Sequence, residues 1–185
     1  NGLPDKKLEN WKFTSSKNFK NFSKSSSSID GIKKIKSDEL SIVFVNGTLD
    51  KSSLKSFKYS HLLEVKNLNE LNSKKLLHCS KNFFNETMFN LGISEFENGS
   101  YLSFKNNSVI KDVINIKNYF FENEENKRIS SFNIFHINEG SEISIIEEDI
   151  KENHSIFNLK LNKFICENSA IFKYGKSFND DSQTH

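Results

Sequence analysis

A mainly β fold of stacked short strands, preceded by a small α/β region, is what this 185-residue chain predicts, on three observations. First, apolar and polar residues alternate after Gly92. Leu102 and Phe104 alternate with Tyr101 and Ser103, Ile114 and Ile116 with Asn115 and Lys117, and Ile143 and Ile145 with Glu142 and Ser144. Phe157, Leu159 and Leu161 alternate with Asn158, Lys160 and Asn162 in the same way. This is the two-residue period of half-buried strands. Second, a charged or amide turn ending in serine recurs between apolar flanks, as Glu97-Asn98-Gly99-Ser100, Asn138-Glu139-Gly140-Ser141 and Glu167-Asn168-Ser169. A turn repeated between alternating strands suggests stacked rungs, each burying its inward side chains only against its neighbours. Third, 18 phenylalanines supply large surfaces to bury, although hydrophobic residues make up only 35% of the chain. The turn serines are unevenly spaced, so the rungs are unequal or interrupted by loops; the acidic, asparagine-rich stretch 122–126 reads as one loop. A sandwich of antiparallel hairpins satisfies the same pattern, because Asn-Gly and Glu-Gly turns serve hairpins equally well.

The elements follow in chain order. Residues 1–22 read as short helical pieces: Pro4 suits a first helical turn, and Leu8 and Trp11 share a face. Residues 23–28 are serine with one lysine, a flexible connector. Residues 40–45 are a β-branched strand stopped by Asn46-Gly47, a strong turn signal, and 61–65 form a second strand. Asn67 and Glu70 have capping-box spacing for a short helix over 68–77. Phe84, Met88 and Leu91 mark a helical stripe that Gly92 can end. The expected organisation is an α/β region over 1–92, rungs over 93–179 and a tail over 180–185.

Composition narrows the function classes. The charged fraction is 27% and the net charge only +2, which argues against disorder. Arg128 is the sole arginine, whereas nucleic-acid readers rely on arginine forks for guanine and phosphate. No apolar run approaches the about 20 residues that span a bilayer, and no charged start with an apolar h-region marks export. Two cysteines, Cys79 and Cys166, are too few for a disulfide framework, so a reducing cytoplasm is the expected home. The chain begins at Asn1 and its only methionine is Met88, so it is expected to be part of a longer protein.

The sequence assigns no catalytic, cofactor-binding or metal-ligating residue. His78 and Cys79 are adjacent, and neighbouring side chains diverge on a strand or a helix, so one ion cannot easily engage both. No second pair completes a ligand set, and Cys79 reads as a structural cysteine. Cys166 sits in the third turn; a sulfur-accepting role would need a thiol pKa lowered by cations, and only Lys163 is close in sequence. His61, His136 and His154 read as satisfied or solvated histidines. No phosphate-binding loop occurs among the seven glycines, so any ATP chemistry belongs to a partner. Glu147, Glu148 and Asp149 invite a glycosidase reading, but alternation lets only Glu147 and Asp149 share a face, and a solvated acidic face is the expectation. Lys33, Lys34 and Lys36 read as a soluble flank, and Trp11 as packing of the amino-terminal helix or a docking aromatic.

Gly2-Leu3-Pro4, followed by Glu9-Asn10-Trp11-Lys12-Phe13-Thr14, closely resembles a signature near the amino end of the SufB/SufD family, in its SufD branch. These are scaffold subunits of the SUF iron–sulfur cluster assembly system. Residues 40–47 resemble the family's strand before its own Asn/Asp-Gly turn. Residues 89–116, 131–149 (with the pair Glu147-Glu148) and 157–174 resemble its successive rungs. The resemblance covers nearly all of this chain but only the first half of a typical member. It implies a right-handed parallel β-helix after the α/β region, and a complex with a SufB-like subunit and a SufC-like ATPase. It implies no independent turnover, and a cluster assembled at the level of the complex through residues outside this chain. It further implies a cytoplasmic or plastid-type location; no nucleic-acid or membrane partner is expected, on the composition above. The rivals are a β-helix carbohydrate-active enzyme and an exported solenoid interaction module.

Overall fold

The computed structural model describes residues 23–24, 37–72, 96, 98–121, 127–151 and 156–177. The expectations on Pro4, Trp11, Lys33, Lys34, Lys36, the 84–91 stripe, His78, Cys79, His154, the 122–126 loop and the 180–185 tail lie outside those residues.

The described chain is mainly β, as the alternation predicts. It holds ten strands: β1 (Ser23–Lys24), β2 (Ser41–Val45), β3 (Thr48–Leu49), β4 (Leu63–Asn67), β5 (Asn98–Phe104), β6 (Val109–Phe120), β7 (Lys127–Ile137), β8 (Glu142–Lys151), β9 (Ile156–Cys166) and β10 (Ile171–Ser177). Among the described residues one α-helix, α1 (Lys51–Ser56), lies between β3 and β4. Two mixed sheets form. In one, β7 pairs in parallel with β5, β9 and the two residues of β1, while β4 runs antiparallel to β5. In the other, β6 pairs in parallel with β2 and β8, β8 with β10, and β3 runs antiparallel to β2. From β5 onward the chain alternates between the sheets, so β5–β6, β7–β8 and β9–β10 are three successive passes, each laid parallel on the one before.

Alternation decides what each strand buries. Ile42 and Phe44 from β2, Leu102 and Phe104 from β5, Ile114 and Ile116 from β6, Phe135 and Ile137 from β7, and Ile143 and Ile145 from β8 form one core between the sheets. The other face of the β7 sheet carries a smaller cluster, where Tyr101, Phe132 and Ile134 meet Leu68 and Leu71. Strands β2 and β4 are therefore built into the same sheets as the later passes.

The turns depart from the repeat motif at its first copy. Asn107, Gly140 and Ser169 all adopt left-handed backbone, with φ of 58°, 68° and 56°. They occupy one stacked position: Asn107 N–H donates to the Glu139 carbonyl (2.8 Å) and Gly140 N–H to the Asn168 carbonyl (3.1 Å). The first turn of this ladder is thus Lys105-Asn106-Asn107-Ser108. Asn98-Gly99-Ser100 of the first motif is not a turn, because residues 98–100 open strand β5. Asparagine replaces glycine in the true first turn, since its short polar side chain tolerates the left-handed region. The serines stack as well. The Ser108 and Ser141 hydroxyls both donate to the Lys105 carbonyl, at 2.6 and 2.9 Å.

Asn46 and Gly47 both have positive φ, 47° and 77°, and join β2 to β3 as the sequence signal requires. The Asn67–Glu70 capping box is present, but on a single 3-10 turn, Leu68–Glu70; residues 73–77 of the expected helix lie outside the described residues. The expected second strand begins two residues later, at Leu63. Helix α1 is started by Asp50, whose carboxylate accepts from Ser52 N–H (3.1 Å) and Ser53 N–H (3.0 Å).

Among the described strands β9 pairs with β7 and β10 with β8, and Ile171 and Tyr174 of β10 are exposed. An outer strand that exposes large apolar side chains in this way can template association. The 185-residue chain is expected to associate as its concentration rises; light scattering that shows a clean monomer at high concentration would contradict this.

Candidate functional site

Inward-facing positions are apolar at the turn end of the passes, polar in the middle, and apolar again at the far end, where Phe120, Ile129 and Ile156 cluster. Glu147 and Asp149 of β8 share the inner face, as alternation predicts. The expectation of a solvated acidic face is overturned, because Glu147 is only 1% exposed. Lys160 and Asn162 come from β9, Tyr174 and Lys176 from β10, and Asn118 from β6, all converging on these two carboxylates.

The geometry leaves neither acid idle. Glu147 Oε1 accepts from Asn118 Nδ2 (2.8 Å) and pairs with the Lys160 ammonium. Its Oε2 accepts from Asn162 Nδ2 (2.7 Å) and from the Tyr174 hydroxyl. Asp149 pairs with Lys160 and with Lys176 (2.8 Å), and Oδ1 also accepts from Asn118 Nδ2 (3.0 Å). The Lys160 ammonium lies 5.8 Å from the Phe120 ring centroid. Two acids thus meet two ammonium groups in a charge-neutral cluster. Such a buried pair is tolerated when geometry is good and every oxygen is hydrogen-bonded.

Environment sets the titrations. Burial pushes the Asp149 carboxyl up, but Lys160 and Lys176 outweigh it and hold it below the ordinary carboxylate value. Burial, then the hydrogen bond to Glu147, raises the Tyr174 phenol well above its ordinary value of 10.0. A folded-state pKa above the unfolded one favours the folded state while the phenol is protonated in both. That advantage disappears as pH climbs from 10.0 toward the raised value. Tyr174→Phe is therefore expected to flatten the alkaline limb of stability above about pH 10. Urea melts at stepped pH check it, and an unchanged limb would show that the phenol contributes nothing there.

The sequence-weighed histidines and cysteine are also placed. His136 Nδ1 lies 2.6 Å from the Tyr101 hydroxyl and Nε2 lies 2.8 Å from Glu167 Oε1, a chain linking all three passes on the outer face of the β7 sheet. Tyr101 is fully buried, so its hydroxyl is not an accessible nucleophile. His61 is exposed and lends only its backbone carbonyl to Lys105 Nζ (2.7 Å). Cys166 is exposed and free, but burial of its sulfur and then the Glu167 charge push its thiol up, the opposite of what a sulfur-accepting thiol needs. Among the described residues, no group of three or more His, Cys, Asp or Glu is placed to hold a metal ion. No described helix is long and apolar enough to cross a membrane.

Sequence reasoning missed Lys160, Asn162, Tyr174 and Lys176 as partners of the acids. The signal was present but weak: alternation puts Lys160 and Asn162 on one face of β9 and Tyr174 and Lys176 on one face of β10. Which face is inward depends on pairing across the sheets, which no local pattern states. No protein-family model matches the chain, and no curated protein matches it significantly.

Proposed function

We propose that this chain is a non-catalytic scaffold segment. The observation that carries the reading is the saturation of Glu147 and Asp149. The one inward acidic pair among the described residues spends its hydrogen-bonding capacity on Asn118, Lys160, Asn162, Tyr174 and Lys176, which ties four strands together. A pair so engaged serves cohesion, whereas glycoside cleavage needs one carboxyl free to give a proton and a second free to attack or activate water.

The finer reading is that the alternating passes are the first rungs of a right-handed parallel β-helix and that the chain is of the SufD type. The parallel pairing from β5 to β10 supports the first part. The Gly2-Leu3-Pro4 and Glu9-Asn10-Trp11-Lys12-Phe13-Thr14 opening supports the second. In this role the segment works with a SufB-like subunit and a SufC-like ATPase, in the cytoplasm or a plastid-type organelle. It holds partners in position while a cluster is assembled on residues other than its own.

Co-purification tests the proposal. A full-length protein containing this segment, expressed with SufB-like and SufC-like subunits, is expected to elute with both. Retention of neither defeats the reading, and release of reducing ends from a polysaccharide by the purified chain would replace it with the carbohydrate-active rival.

A further inference from the structure

The third pass is attached differently from the second. In β7 and β8, Ile129, Phe132, Ile134, Phe135, Ile137, Ile143 and Ile145 are buried. In β9 and β10 only Ile156 and Leu159 reach that level, and β10 is exposed along most of its length. Near the turns, Phe164 and Phe172 pack against the main core with ring centroids 5.0 Å apart. Toward the middle of the strands apolar contact gives way to the ionic cluster, beyond which only Ile156 of β9 returns to an apolar cluster, with Phe120 and Ile129. Both strands of the third pass send their polar inner side chains to the same two acids: Lys160 and Asn162 from β9, Tyr174 and Lys176 from β10.

We propose that β9 and β10 open and close against β7 and β8 as one unit, with Glu147 and Asp149 as its latch. A segment with little buried apolar surface and an exposed outer edge belongs to the low-stability end of a fold and opens below the cost of global unfolding. Sharing one pair of acids makes the two strands cooperative. Loosening Lys160 from Glu147 also loosens the site that holds Tyr174, and loosening Lys176 removes one of the two cations that hold Asp149. Opening uncovers the parallel edges of β7 and β8 together, a strand-pairing surface that the closed state hides. The latch involves the described strands alone and does not depend on a SufD-type identity.

Hydrogen exchange read by mass spectrometry on the whole 185-residue chain tests it. Amides of β9 and β10 are expected to exchange with a common opening constant, faster than those of β6 and β7. Glu147→Gln keeps the shape but removes the charge that holds Lys160. It should speed exchange in β9 and β10 together by roughly 10- to 100-fold, the worth of a hydrogen bond to a charged group, and leave β5 and β6 unchanged. Lys176→Met is a gentler second variant at a partly exposed side chain, and should raise exchange in both strands, not in β10 alone. A uniform rise across the fold in Glu147→Gln, or a Lys176→Met effect confined to β10, would overturn the latch. Equal wild-type rates in β9 and β7 would overturn the unit itself.

Discussion

Replacing Glu147 by alanine is expected to lower the unfolding free energy by about 3–5 kcal/mol, the cost of breaking a buried ion pair by removing one partner. The side chain is nearly inaccessible and accepts from four different groups. Alanine leaves the Lys160 ammonium in the interior with Asp149 alone, and strips Asn162 and Tyr174 of their acceptor. An abandoned donor that is buried, as the Lys160 ammonium is, carries a desolvation cost of about 1–3 kcal/mol, whereas the half-buried Asn162 amide and the exposed Tyr174 residue lose less. The relaxed structure recovers some of it by admitting water, so the total stays below the sum. Denaturant melts measure the effect. A loss under about 1 kcal/mol would mean that water already replaces these bonds and that the cluster is not dry. The double variant Glu147→Leu/Lys160→Met discriminates further, because swapping a buried pair for apolar residues of similar size is often neutral or stabilising. Stability near wild type, with exchange in β9 and β10 no longer held back, would show that the pair sets the placement of the third pass more than the depth of the fold.

This cluster also marks where sequence reading stops. Strand and face assignments come from alternation, which is local, so Glu147 and Asp149 could be put on one face of β8 without knowing what lay opposite. Burial of that face comes from β9 and β10 in the next pass. A carboxylate reads as solvated until its counter-ions are placed across the sheets, and in a chain this rich in lysine no single lysine announces itself. The turns fail for a related reason. The ladder needs left-handed backbone at Asn107, Gly140 and Ser169, and only one of the three is glycine. The motif therefore locked onto Asn98-Gly99, a stronger turn signal on propensity, which is held extended by pairing with Ser131 and Phe132 of β7. Asn46-Gly47 is legible because the left-handed dihedral angles of a two-residue hairpin turn are a local demand that these two residue types meet.

Gly47→Ala should be the second severe substitution, costing about 2–5 kcal/mol from left-handed strain plus overpacking. Gly47 has φ of 77°, and a Cβ there would lie 2.5 Å from Ser131 Cβ and 3.2 Å from Ser131 Oγ. The clash is with the first carbon of a buried side chain on the central strand β7, which cannot rotate away. Nor can the turn retreat easily. Asn46 is held by paired hydrogen bonds with the Phe121 backbone, Nδ2 to the carbonyl and Oδ1 from the N–H, both at 2.9 Å, and its carbonyl accepts from Asn98 Nδ2 at 3.2 Å. The two contributions separate in a double variant. Ser131→Gly removes the opposing carbon, and with it a buried hydroxyl that has no hydrogen-bond partner. Gly47→Ala made in that background should lose only the conformational part, about 1–2 kcal/mol. If Gly47→Ala costs the same in both backgrounds, the close approach to Ser131 is not what demands glycine, and the left-handed turn alone is responsible.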